Sequence, residues 1–195
     1  MFFTLKLPKA HNKTFSKSQL NLINSLRLLW EQHALWTRSV IVSIAFGLPD
    51  MDLVTQKLFG NSKDLGQIFE TYYGRTIATN FVNIFKEHLE ITVELVKAIK
   101  ANDNDAAADA EQRWYQNANE IAAFLYGLNY FWSIKERRKM LKEHLKLVKA
   151  EAINILTGNY EDGIEVYDEM ERQTLEMADE MAKGMFKQFP NRFVN

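Results

Sequence analysis

Three histidines recur along the chain at nearly equal intervals: His33, His88 and His144. Each is flanked by apolar residues three and four positions away, the spacing at which helical side chains share a face. Around His33 these are Leu29, Trp30 and Trp36. Around His88 they are Ile84, Phe85 and Ile91, and around His144 they are Met140, Leu141, Leu147 and Val148. An imidazole on such a face points inward, and a buried imidazole needs hydrogen-bond partners or a metal. Neutral imidazoles with carboxylates suit zinc, iron or another divalent ion. Asn117 and Glu176 fall at similar heights on other helices. Glu151 lies seven residues after His144, on the same face and about two turns away. Glu31 and Arg38, also seven apart, can pair with each other, and Arg38 could instead receive an anionic ligand. Trp30, Trp36, Trp114 and Tyr115 flank this polar layer and are candidate pocket walls with Arg38 and Asn117.

No motif of fixed spacing names a reaction. The ferritin-like di-iron pattern needs Glu-x-x-His on two helices. Here Glu87 and Glu143 directly precede their histidines and point about 100° away around the helix. There is no HExxH, no G-x-G-x-x-G, no P-loop and no nucleophile elbow. The chain contains 0 cysteines, which excludes disulfides, thiolate catalysis and Cys-ligated zinc or iron–sulfur sites.

The elements that must carry these residues read as helices. Only 8 glycines and 3 prolines punctuate 195 residues, and no stretch alternates strictly between polar and apolar. The pattern predicts an irregular leader over 1–16, with Ser16 or Ser18 as a cap and His11 exposed within it. A helix follows over 17–47 and stops at Gly47 before Pro49. Its second half is apolar on almost every face, which places it centrally. Asp50 can cap a short helix ending near Gly60. Asn61 or Ser62 can cap another ending at Gly74. Longer helices are predicted over 75–101, 105–127, 133–157 and 160–188, and 190–195 reads as a tail. The expected fold is all-α: an up-down multi-helix bundle forming one domain over 17–189, in which mid-length residues share one height.

The bundle also reads as three helical hairpins of about 55 residues. Lys86-Glu87-His88-Leu89 and Lys142-Glu143-His144-Leu145 are the same four-residue word, and Glu31-Gln32-His33 is a looser copy. Ala118-Asn119-Glu120-Ile121-Ala122 echoes Ala178-Asp179-Glu180-Met181-Ala182, with Asp64-Leu65-Gly66 as the first counterpart.

A formal net charge of −1 gives no global field toward nucleic acid or anionic lipid. A basic stretch from Lys135 to Lys149 and an acidic one from Glu161 to Glu180 are expected to neutralise each other as antiparallel neighbours. The most apolar run, Ala34 to Leu48, contains Arg38 and falls short of the ~20 residues of a membrane span. The expected setting is cytoplasmic, without membrane or nucleic-acid partners. Exposed apolar faces leave a homodimer open.

Several segments resemble a family of small all-helical proteins from low-GC Gram-positive bacteria. They are Leu29-Trp30-Glu31-Gln32-His33-Ala34-Leu35-Trp36-Thr37-Arg38, Phe69-Glu70-Thr71-Tyr72-Tyr73-Gly74, Glu87-His88-Leu89, Trp114-Tyr115-Gln116-Asn117-Ala118 and Met177-Ala178-Asp179. The resemblance covers about residues 25–190. Some members carry the label acetylglutamate kinase, which implies an α/β fold with glycine-rich phosphate loops that this chain does not have. The resemblance groups these residues and supplies no mechanism.

Three readings follow for the histidine layer. The first is a binding module holding a metal ion (iron or zinc) or a small ligand among His33, His88, His144, Glu31, Glu151 and Glu176. The second is a structural or interaction protein with a satisfied polar core. The third is a metal-dependent enzyme in which Glu31, Glu151 or Glu176 carries protons.

Overall fold

The computed structural model describes residues 15–194, so nearly all of the expected leader, with His11, lies outside the described residues. Six α-helices follow one another: α1 (Lys17–Phe46), α2 (Met51–Tyr73), α3 (Arg75–Ala101), α4 (Asn104–Leu128), α5 (Ile134–Thr157) and α6 (Tyr160–Gln188). There is no strand among the described residues. Each helix packs against the next in sequence, and α1 also packs against α6, so the six close into a ring. Across the middle, α1, α3 and α5 touch one another. These are the three helices that carry His33, His88 and His144.

The helix ends follow local chemistry. Ser16 is the first cap: its hydroxyl accepts from the Gln19 N–H while the Gln19 side chain accepts from the Ser16 N–H, closing a capping box. At the other end Gly47, at φ 62, adopts the left-handed conformation that stops α1, and its N–H donates back to Ile44 and Ser43. Ser133 caps α5 through the Glu136 N–H.

The expected break after Gly60 is absent, and α2 runs unbroken from Met51 to Tyr73. The reason is where the would-be caps spend their polar groups. The Asn61 amide donates to the Leu29 carbonyl on α1, and the Ser62 hydroxyl donates to the Phe59 carbonyl one turn earlier. Buried Leu58, Leu65 and Phe69 anchor the helix on both sides of the glycine. Asp50 occupies the N-cap position without a capping bond, because its carboxylate accepts from Ser43 instead.

The C-terminal segment is more ordered than a tail. Pro190–Arg192 form a 3-10 turn, and Phe193 is buried against Phe186 and Tyr72. The segment joining α4 to α5 inserts Trp132 into the core, where its indole N–H donates to the Met181 carbonyl at 3.2 Å. The basic and acidic stretches do meet at the α5–α6 contact, where Arg137 and Glu180 stand 3.8 Å apart. The central placement of α1 holds only in part, because Leu28 and Leu35 face solvent. No helix among the described residues is long and apolar enough to cross a membrane.

Candidate functional site

All three histidines project inward from the inner helices, and each is 2% exposed. The nitrogens His33 Nε2 and His144 Nε2 lie 3.4 Å apart, with ring centroids 5.5 Å apart. His88 stands beside this pair, close enough for its charge to oppose that of His33 and for His144 to oppose its own. Phe85 separates them in part, with its ring centroid 5.5 Å from His33 and 6.1 Å from His88. Trp30 meets His33 edge-on and Trp114 stacks on His88. As the side chains stand, no group of three His, Asp or Glu among the described residues is close enough to hold a metal ion.

Behind each imidazole, on the neighbouring outer helix, stands an amide: Asn61 on α2, Asn117 on α4 and Gln173 on α6. The amide nitrogens make the same bond three times. Asn61 donates to Leu29, Asn117 to Ile84 and Gln173 to Met140, at 2.9, 3.1 and 3.2 Å. In every case the acceptor is the backbone carbonyl four residues before the histidine. A carbonyl can only accept, so the NH₂ must face it and the amide oxygen is left for the ring. For His88 this produces a hydrogen bond from Nδ1 to Asn117 Oδ1 at 3.0 Å. Asn61 and Gln173 act on His33 and His144 in the same sense, at looser geometry. His33 Nδ1, Asn61 Oδ1, His144 Nδ1 and Gln173 Oε1 are all buried without a hydrogen-bond partner.

The consequence is a choice of tautomer. A neutral imidazole carries one proton. At His88, with Nδ1–H turned to Asn117 Oδ1, Nε2 keeps its lone pair, whereas the 3.4 Å hydrogen bond between His33 Nε2 and His144 Nε2 needs one of those two rings to carry its proton on Nε2. Burial strongly opposes adding a second proton: it holds His88 down at about 3 and His144 at about 4, and lowers His33 well below the usual histidine range. The adjacent imidazoles push His33 and His88 further down, and the amides pull slightly the other way.

The expected carboxylates are not gathered at this layer. Glu176 is exposed on the outer side of α6. It lies three residues past Gln173, which rotates it about 60° away around the helix, and Gln173 takes the inward place. Glu31 is half-buried, and burial, followed by the neighbouring Glu171 carboxylate, raises its pKa. It does not pair with Arg38. Glu151 is fully buried, but two turns from His144, where Oε1 accepts from Arg38. Burial lifts the Glu151 carboxyl to about 7 against the pull of Arg38. The Arg38 guanidinium also lies 4.8 Å from the Tyr167 ring centroid, so it is engaged in the structure and is not open to an anion. Trp36 sits under Lys57 at the α1–α2 surface, and Tyr115 is half-buried without a ring contact to a histidine among the described residues. Of the expected walls, Trp30, Trp114 and Asn117 belong to the layer.

Asn61, Gln173 and Phe85 are the contributors that the sequence reading left out of the site. A signal existed for the amides. Asn61, Asn117 and Gln173 are separated by 56 residues each time, matching the histidine interval.

Comparison with known proteins returns no match to any family model, to any curated protein or to any solved structure.

Proposed function

We propose that this protein is a metal-binding module whose site is the imidazole layer. His33 and His144 supply the first two nitrogens and His88 the next. The observation that carries this reading is the 3.4 Å approach of His33 Nε2 to His144 Nε2, with the Asn61 and Gln173 amides held behind the two rings by the Leu29 and Met140 carbonyls. Two imidazoles bound to a tetrahedral zinc at about 2.0–2.1 Å stand about 3.3–3.4 Å apart. Metal-bound histidines also characteristically donate their other N–H to an oxygen that fixes ring and tautomer. An all-nitrogen donor set suits zinc or ferrous iron and leaves the remaining positions to water or a small ligand. The recurring histidine and amide intervals also support reading the chain as three repeated hairpins (α1–α2, α3–α4 and α5–α6), each delivering one imidazole.

A second reading has its own observation. The satisfied His88–Asn117 bond fits a polar core that orders the helices and binds nothing. The two are separated by zinc titration of untagged, chelator-stripped protein against a chromophoric chelator. The metal reading expects close to one zinc per chain, with affinity falling at least about a hundredfold in His33→Ala and His144→Ala, in line with losing a metal ligand. Sub-stoichiometric binding, or affinity untouched by both substitutions, contradicts it.

A further inference from the structure

Two N–H donors in the core go unanswered at one place. Trp30 on α1 is 4% exposed and Arg137 on α5 is 6% exposed. Neither the Trp30 indole Nε1 nor the Arg137 Nε has a hydrogen-bond partner among the described residues. Both side chains line the same inner cavity, of about 20 Å³, where α1, α3, α4, α5 and α6 converge. That is space for roughly one water, and a chloride ion is of similar size. The other walls are apolar and include Phe81, Phe85 and the methionines Met140, Met177 and Met181. Among the described residues, no side chain lining the cavity offers an oxygen or nitrogen acceptor.

The donors decide what fits. Arg137 is a charge taken out of water, which is costly unless its donors are paired. Its ion-pair partner Glu180 stands 3.8 Å away, beyond hydrogen-bonding distance, and leaves the Nε–H unanswered. A water in the cavity could accept from both N–H groups. Its own two hydrogens would then face apolar walls with no acceptor. A monovalent anion only accepts, and its charge offsets the buried guanidinium. Methionine side chains are flexible, so the wall can yield by the small amount that seats an ion against both donors.

We propose that this cavity is a binding site for one chloride-sized monovalent anion, held between the Arg137 Nε–H and the Trp30 indole N–H. The site is separate from the imidazole layer and does not depend on a metal there.

The test follows the Trp30 indole and Arg137 Nε–H signals by ¹H–¹⁵N NMR of the full-length protein. Sodium gluconate is replaced stepwise by sodium chloride at constant ionic strength. Both signals should shift together and saturate, and the affinity should fall at least about tenfold in Arg137→Met, as for the loss of a charged hydrogen-bond donor. If Arg137→Met fails to fold, Trp30→Phe read at the Arg137 Nε–H serves, with chloride affinity falling severalfold. No saturable response to chloride, an equal response when sulfate replaces chloride, or an affinity unchanged in the substituted protein overturns the proposal. A chloride-insensitive indole N–H that instead shows a cross-peak to a long-lived water assigns the cavity to water and overturns it as well.

Discussion

The proton on His88 is placed by an amide, Asn117, that is itself placed by the Ile84 carbonyl. Burial of all three rings makes the layer sensitive to pH in a defined direction. In the folded protein the three histidines resist protonation, whereas in the unfolded chain they titrate near 6.5. Below that pH the unfolded state binds more protons, so stability falls as pH falls, by about 1.4 kcal/mol per unit for each ring. Glu151 acts oppositely: its folded value of about 7 lies above the ordinary 4.5, so the folded state takes its proton first. The net expectation is an uptake of about two protons on unfolding between roughly pH 4.5 and 6.5. Urea unfolding at pH 7, 6 and 5 should show a steady loss of stability; a flat profile would mean that the rings titrate freely in the fold. Asn117→Ala should cost about 1–3 kcal/mol by leaving His88 Nδ1 buried and unpaired, measurable in the same assay. The histidines themselves were readable from their apolar neighbours at helical spacing. Asn61 was not, because an Asn-Ser pair after a glycine is also how a helix begins. Gln173 was hidden in an acidic segment, one turn from the more conspicuous Glu176.

Helices have to be continuous and closely packed to bring these side chains together. Gly60 lies inside α2 with open space where a Cβ would go. Gly60→Ala should therefore raise stability by about 0.5–1 kcal/mol, whereas a chain that truly turned at residue 60 would gain nothing. Gly184 is the opposite case. A Cβ there would meet Trp132 Nε1 at 1.9 Å and Cδ1 at 2.3 Å. Gly184→Ala should displace the indole, break its bond to Met181 and cost about 1–3 kcal/mol or more, with the Trp132 emission shifting toward that of solvated tryptophan. Most helix ends were legible because capping chemistry is local: Ser16, Gly47, Ser133 and Gly158 each act within a few residues. The false break at Gly60 and the docking of Phe193 depended on partners on distant elements, which no local pattern encodes.

At the scale of the molecule, the ring of six helices turns its three inner members into a frame with one nitrogen donor on each. An ion at the centre would tie sequence-distant hairpins together. Zinc at a hundred times its dissociation constant should then stabilise the fold by about 2.7 kcal/mol, read as a rise in Tm that is lost in His144→Ala. Helical periodicity revealed the bundle and one inward layer. It did not reveal that two rings approach more closely than the third, because that is set by how α1 and α5 pack. The most direct measurement is long-range ¹H–¹⁵N NMR of the imidazole nitrogens in metal-free protein at neutral pH. The account predicts an Nδ1–H tautomer at His88 and one Nε2-bound proton between His33 and His144, displaced when zinc is added with both of their Nε2 signals shifting. A proton resident on Nε2 of His33 or His144, unmoved by zinc, would contradict it.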